Sequence, residues 1–333
     1  WIDDTIFKTA SFLQSQPPSF DLSVQVQLPV EWELLAPKNI GVTAGVETDT
    51  IPIAWAEASE KMDAIIVPSA HTKFGYHTYE AVADKVKVVN YPVRKFEMEK
   101  MPLSLGTGFN FLSVAQWSPR KNVEELVAAF VEEFLNEDIG LVLKLGIKSG
   151  SNIDKHFTLD RLTALLEENA PERKCKIYLL HGNLTDKEMA TLYQHPNIKA
   201  YVSASHGEGY GLPVFESAFY GLPVITANWG GVQDFSSIGN KLMMTDVAHD
   251  VENVKEHHVW EGVLEQSAKW CYPDMADLRK KMRAVYSNRG PYKAKANKLA
   301  KHLESVYTAE KINQQYTNAF NSVFIQGEQN EVE

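Results

Sequence analysis

Between Ser205 and Gly231 the chain reads SHGEGYGLPVFESAFYGLPVITANWGG, which sets Glu208 among glycines in a loop and Glu216 eight positions later inside an apolar run. A buried carboxylate without a partner is costly, so the surroundings of these two acids decide what they do. Glycines at 207, 209 and 211 allow close backbone approach and unusual dihedral angles. Pro213 suits the first turn of a helix that ends at Gly221, and the free amides of such a helix start form a ready anion site. Phosphate fits there. Neither glutamate can face that phosphate, because like charges repel; each needs donors, and vicinal sugar hydroxyls supply two. Phosphate on the amides and a polyol on the carboxylates describe a sugar nucleotide. The plainer alternative makes Glu208 a helix-dipole partner and Glu216 a satisfied first-turn acid; glycine spacing and paired acids weigh against it. A dinucleotide fingerprint is excluded, since GEGYG is not GxGxxG.

Such a loop must sit at the carboxyl end of a parallel strand, where open α/β sheets bind ligands. Short β-branched runs alternate with amphipathic stretches along most of the chain, the pattern of α/β architecture. Strands are expected at 22–28, 39–45, 64–69, 85–91, 110–116, 140–146, 175–182, 199–205 and 222–228, and helices at 122–136, 159–170 and 185–195. The last of these helices opens on a Thr185/Glu188 capping box. Turn residues at 97–108 mark a domain boundary. The expected division is a partial first domain over 1–100, a second over 105–290, and terminal helices over 291–325. Residues 297–324 read as one or two helices and GEQNEVE as a frayed acidic tail.

With 333 residues, 44% hydrophobic and 23% charged, the chain can bury a core of about two domains. The net charge of -10 argues against nucleic acid as a partner. Cys175 and Cys271 lie far apart without CxxC spacing, which excludes a disulfide framework or a cysteine-based zinc site as the organising feature and makes a reducing cytoplasm the simplest location. No apolar run reaches the ~18–20 residues of a membrane span. The chain begins at Trp1, so the native N-terminus is expected upstream. From Arg279 to Lys301 nine basic residues occur without an acid. A solvated helical face is the bland reading; peripheral contact with an anionic membrane or an acidic acceptor stays open.

The stretch GEGYGLPVFE resembles the Glu-seven-residues-Glu motif of retaining glycosyltransferases of the GT-B fold, family GT4. The resemblance extends to FLSVAQWSPRKNVEELVAAF and LPVITANWGG, and more loosely to VTAGVETDTIPIAW and MDAIIVPSAHTKFGY, covering most of residues 22–240. It implies two Rossmann-like parallel-sheet domains facing a cleft, with the first truncated or reduced and the terminal helices crossing back onto it. By the same resemblance Glu208 contacts hydroxyls of the transferred sugar, Gly209, Tyr210, Gly211 and Leu212 lie near sugar and phosphate, and Glu216 holds the ribose. Lys121 matches the lysine that neutralises the donor diphosphate. The family usually has an arginine where Gln116 stands, and Arg120 is the candidate for the second charge. Glu47 stands where many members carry a histidine near the reacting centre, and is assigned to the acceptor side. His181 and Leu184 lie where members hold the base. His206, at the mouth of the site, is either catalytic or merely hydrogen-bonded, and Trp229 either a lid or packing.

The expected reaction is sugar transfer from a nucleoside diphosphate donor to a hydroxyl acceptor, a glycan or another, with retention and with neither metal nor cofactor. A glycoside hydrolase would use the two glutamates as acid and nucleophile, leaving the phosphate-ready loop without a purpose. A non-catalytic nucleotide-sugar or glycan-binding module is the third class.

Overall fold

A computed structural model describes residues 20–328 together with Lys8, so residues 329–333 of the GEQNEVE tail lie outside the described residues. Strands β1 (Leu22–Val26), β2 (Lys38–Val42), β3 (Ala64–Val67) and β4 (Val86–Val88) form a parallel sheet in sequential order. All four residues of β3 are buried, as expected of a parallel strand covered on both faces. Helices α1 (Ile53–Glu60), α2 (Ala70–Gly75) and α3 (Glu80–Ala83) connect these strands. Ser69 caps α2 by accepting the amide of Thr72 at 3.1 Å.

The second sheet has six parallel strands. They are β5 (Asn110–Gln116), β6 (Gly140–Gly146), β7 (Lys176–Leu180), β8 (Ile198–Val202), β9 (Val224–Thr226) and, after a two-residue ladder of β10 (Ser237–Ile238) with β11 (Lys241–Leu242), β12 (Thr245–Asp246). Their order is β12-β9-β8-β5-β6-β7. The chain therefore winds outward from β5 to β7, then returns to β8 on the other side of β5 and winds the opposite way. The gap between the carboxyl ends of β5 and β8 is a topological switch point, where doubly wound sheets open a crevice for ligands.

Helix α4 (Val123–Phe134) buries Val123, Leu126, Val127, Phe130, Val131 and Phe134, a stripe at helical spacing. Helix α5 (Asn152–Asn169) starts seven residues before the expected 159, because Ser151 caps it by accepting the Asp154 amide while its first turns leave Ile153 and Phe157 exposed, blurring the periodicity. Helix α6 (Asp186–Tyr193) carries the Thr185/Glu188 capping box, and α7 (Leu212–Phe219) follows the glycine loop with Pro213 in its first turn.

An antiparallel hairpin of β13 (His249–Asn253) and β14 (Lys269–Pro273) was not expected. Four of the five β13 residues are exposed and the strand reads HDVEN, so no apolar alternation announces it. Helices α8 (Met275–Ser287), α9 (Arg289–Val306) and α10 (Ala309–Glu328) end the chain, α10 lying against β3 of the first sheet. Within the basic stretch, Arg279 and Arg283 pair with Glu133 of α4, Lys281 with Asp277, and Arg289 and Lys293 donate to the carbonyls of Lys199 and Gly221. Lys280, Lys295, Lys298 and Lys301 are exposed. Among the described residues no helix is long and apolar enough to cross a membrane.

Candidate active site

The turn after β5 and the loop after β8 meet at the switch point. Pro119–Lys121 form one 3-10 turn, ended by Asn122 in the left-handed region at φ 51°, from which α4 departs. The carbonyl of Arg120 accepts the His206 amide at 2.9 Å and the Ser205 hydroxyl at 3.3 Å, fixing the two segments side by side. Arg120 and Lys121 consequently face Glu208.

Lys121 Nζ lies 2.5 Å from Glu208 Oε1, and Arg120 Nη1 lies 3.2 Å from Oε2 while also donating to the Gly207 carbonyl at 3.1 Å. Arg120 Nε reaches Glu47 Oε1 at 3.2 Å. Two acids and two bases thus close a network across the two sheets, the side chains of Lys121 and Glu208 each being 12% exposed. Burial opposes the charge of Glu208, but Lys121 and Arg120 favour it and prevail, so its carboxyl is held below the ordinary range. At Glu47 burial prevails over Arg120 and the carboxyl is raised. Neighbouring carboxylates pushed in opposite directions are a common signature of sites that do chemistry.

Gly207 and Gly209 allow the close backbone approach expected of them, and the partner is the loop after β2. A side chain at Gly207 would strike the backbone of Glu47, and a Cβ at Gly209 would lie 2.8 Å from the Ala44 carbonyl. Close approach is required by the loop of the first sheet. Ser69 Oγ donates to the Gly209 carbonyl at 2.6 Å, so the cap of α2 also holds the glycine loop. Gly211, at φ 89°, makes the turn that starts α7. Among the described residues no acceptor takes the amides of Gly209, Tyr210, Gly211 or Leu212. Those amides and the positive end of α7 are suited to an anion. The Tyr210 ring is buried against Tyr91, Phe215 and Phe235.

Glu216 sits one turn into α7 and lines a separate cavity of about 310 Å³, together with Tyr91, Arg94, Phe96, Asp186 and Tyr193. Glu208 does not line it. Tyr193 Oη donates to Glu216 Oε2 at 2.8 Å. Burial raises the Glu216 carboxyl above its ordinary range, and the tyrosine hydroxyl opposes that shift. Sequence reasoning missed Tyr193; its only signal is a position in the last turn of the capped helix α6.

Three other expected residues stand apart. Gln116, at the end of β5, donates to the Ile147 carbonyl at 2.7 Å. His181 Nε2 lies 2.7 Å from Asp154 Oδ2, which also accepts the Ile147 amide, and these bonds hold the Asp154 carboxyl at about 2. His181 and Leu184 do not line the Glu216 cavity, and Leu184 packs instead against the core. His206 has its Nδ1 2.8 Å from the Cys271 carbonyl and stacks on Trp270 at 4.8 Å, with burial pushing it down to about 4. That is the hydrogen-bonded reading of this histidine. The hairpin supplies Cys271 and also grips the first sheet, since Lys269 and Asp49 exchange backbone and carboxylate bonds at 2.9 and 2.7 Å.

Comparison with known proteins bears on this geometry. Residues 94–255 match the family model described as glycosyl transferases group 1. Over 209 residues the chain is 30% identical to the serotype-specific mannosyltransferase WbdA of Escherichia coli, a match covering 60% of this chain and 24% of that protein. The chain spans about a quarter of the length of that relative. Sucrose-phosphate synthase from Thermosynechococcus elongatus superimposes with a TM-score of 0.67 at 15% identity, over 96% of this chain and 77% of that one. Anabaena Alr3699/HepE in complex with UDP and glucose gives 0.60 at 13% identity, over 86% and 72%. The shared fold is GT-B, with a smaller first sheet here.

Proposed function

We propose, from the premise that this chain belongs to the glycosyl transferases group 1 family through residues 94–255, that it transfers a sugar from a nucleoside diphosphate donor to a hydroxyl acceptor with retention of configuration. The observation that carries this reading is Glu208 flanked by Lys121 at 2.5 Å and Arg120 at 3.2 Å, beside the open amides at the start of α7. Both cations are already gathered where a diphosphate would lie, so little reorganisation is needed as negative charge grows on the leaving group. The diphosphate takes up the cations, and Glu208 turns its oxygens to hydroxyls of the transferred sugar. Glu216, in its own cavity with Tyr193, accepts the ribose hydroxyls.

In the reaction the bond from the anomeric carbon to the diphosphate oxygen breaks while a bond from that carbon to the acceptor oxygen forms. The acceptor's proton passes to the departing phosphate oxygen on the same face, so no enzymic nucleophile is needed. Glu47, held over the same spot through Arg120, lies on the acceptor side. Its carboxylate, paired with Arg120, offers a hydrogen-bond acceptor to an incoming hydroxyl.

Incubation with UDP-, GDP- and ADP-sugars, including a mannose donor because the curated relative is a mannosyltransferase, tests the reading by release of the nucleoside diphosphate. One donor is expected to be turned over and to raise the melting temperature by mass action. The absence of both turnover and a thermal shift with every donor would refute it, and binding without turnover for any acceptor would favour a non-catalytic module.

A further inference from the structure

At the end of the six-stranded sheet opposite the glycine loop, a groove of about 260 Å³ opens where β8 and β9 begin. Among the residues lining it are Tyr193, His195, Lys199, Tyr220, Arg289 and Lys293. None of its lining residues belongs to the network of Glu47, Arg120, Lys121 and Glu208. Tyr193 and Tyr220, stacked at 5.8 Å, also line the Glu216 cavity, so the two spaces share a wall.

The charge of this groove is one-sided. Among the described residues no acid lines it, and none pairs with Lys199, Arg289 or Lys293. That divides the basic stretch which begins at Arg279. Arg279 and Arg283 are answered by Glu133, and Lys281 by Asp277. Arg289 and Lys293 have only carbonyls: Arg289 Nε donates to Lys199 at 2.9 Å, and Lys293 Nζ to Gly221 at 2.5 Å. These bonds fix the two cationic heads and use one donor of each. A guanidinium carries five N–H donors and an ammonium three, so the Nη edge of Arg289 and two hydrogens of Lys293 remain for a ligand.

Burial pushes both groups below their ordinary ranges, and at Lys293 the charge of Arg289 adds to the effect. Partly buried like charges without a counter-ion are costly, and a bound anion removes that cost. His195 supplies no counter-charge; burial, and after it Lys199, holds its ring below the ordinary imidazole range, and the ring is tied to the backbone of Leu103 and Asn197. The carboxyl ends of α6 and α7 border the groove with roughly half a negative charge each, which three cations outweigh. Arg289 also opens α9, which the Asn288 side chain leaves uncapped, so the positive end of that helix lies at the same place.

Size and direction select the anion. The groove is smaller than the roughly 300–1,000 Å³ of a drug-sized ligand, and a free guanidinium edge matches two oxygens of a phosphate. Lys295 and Lys298 are exposed on α9 two and five positions beyond Lys293, about 140–160° around the helix. A membrane drawn to those lysines would lie away from the groove. We infer that the groove binds the phosphate group of a small soluble molecule between Lys199, Arg289 and Lys293, at a site separate from the donor cleft. It stands whether or not the proposed transfer occurs.

The test is calorimetric titration of the full chain with inorganic phosphate and with glycerol 3-phosphate at constant ionic strength, beside sedimentation with vesicles of phosphatidylcholine and phosphatidylglycerol. A phosphate site with Kd below about 10 mM is expected, weakened at least about tenfold in Arg289→Gln and in Lys293→Gln and at least about threefold in Lys199→Gln. Lys199 Nζ has no partner among the described residues, so the last variant keeps its fold even where the other two lose a carbonyl contact. Lys121→Ala is expected to retain the site, which separates the groove from the cleft. Binding lost in Lys121→Ala but kept in Arg289→Gln, affinity unmoved in all three groove variants, no saturation by about 10 mM, or binding to the vesicles alone would overturn the inference.

Discussion

Glu208 and Glu216 are the same residue type on either side of one helix start, and the fold treats them oppositely. Glu208 is clamped by two cations and held ionised; Glu216 has one tyrosine hydroxyl and a raised carboxyl. The difference comes from their neighbours. Residue 208 faces the turn after β5 across the switch point, whereas residue 216 lies one turn down α7 and faces the end of α6. Charge compensation suits a place where charge changes during a reaction, and a hydrogen-bonded acid suits a place where neutral hydroxyls are only held.

That contrast can be broken by substitution. Lys121→Ala is expected to lower kcat about 10²–10³-fold, the usual scale for losing a charge-stabilising group. Turnover that stays at the wild-type level would remove Lys121 from the diphosphate site. Glu208→Gln is expected to lower kcat comparably and also to destabilise the chain by about 3 kcal/mol, because two partly buried cations lose a counter-charge; denaturant unfolding measures the second effect. Glu216→Gln should raise the donor KM about tenfold with kcat little changed, the mark of an interaction made equally in ground and transition states. A fall in kcat with donor KM unmoved would reverse the two roles.

Smaller effects sharpen the comparison. Tyr193→Phe removes a hydrogen bond worth about 1 kcal/mol and with it an influence that lowers the Glu216 carboxyl. Ribose binding needs the ionised form, so donor affinity is present above the folded pKa and lost as pH falls through it. In the variant that loss should begin at a higher pH, as titration of donor binding across the acid range would reveal; an unshifted profile would uncouple Tyr193 from Glu216. Gln116→Ala is expected to change turnover least and stability by no more than about 0.5 kcal/mol, since its amide is tied to the Ile147 carbonyl.

What the sequence made legible follows from local pattern. The strand, loop and helix around GEGYG can be read because apolar runs, glycines and Pro213 are neighbours in the chain. The Lys121–Glu208 pair cannot, for its partners are 87 positions apart; the reading assigned Lys121 to a diphosphate and Glu208 to hydroxyls without bringing them together. Gly207 and Gly209 were legible as close approaches, but what approaches them, the backbone of 44–47, depends on how two sheets dock. The hairpin of β13 and β14 was invisible because solvent covers most of one strand.

The most direct test of the division of labour is a steady-state comparison of Glu208→Gln and Glu216→Gln with the one donor that wild type turns over, both variants being checked for folding first. The account predicts that the first loses kcat by about 10²-fold or more while the second loses donor affinity and keeps kcat. If both variants lose the same parameter to the same extent, the two glutamates do not divide the donor between them.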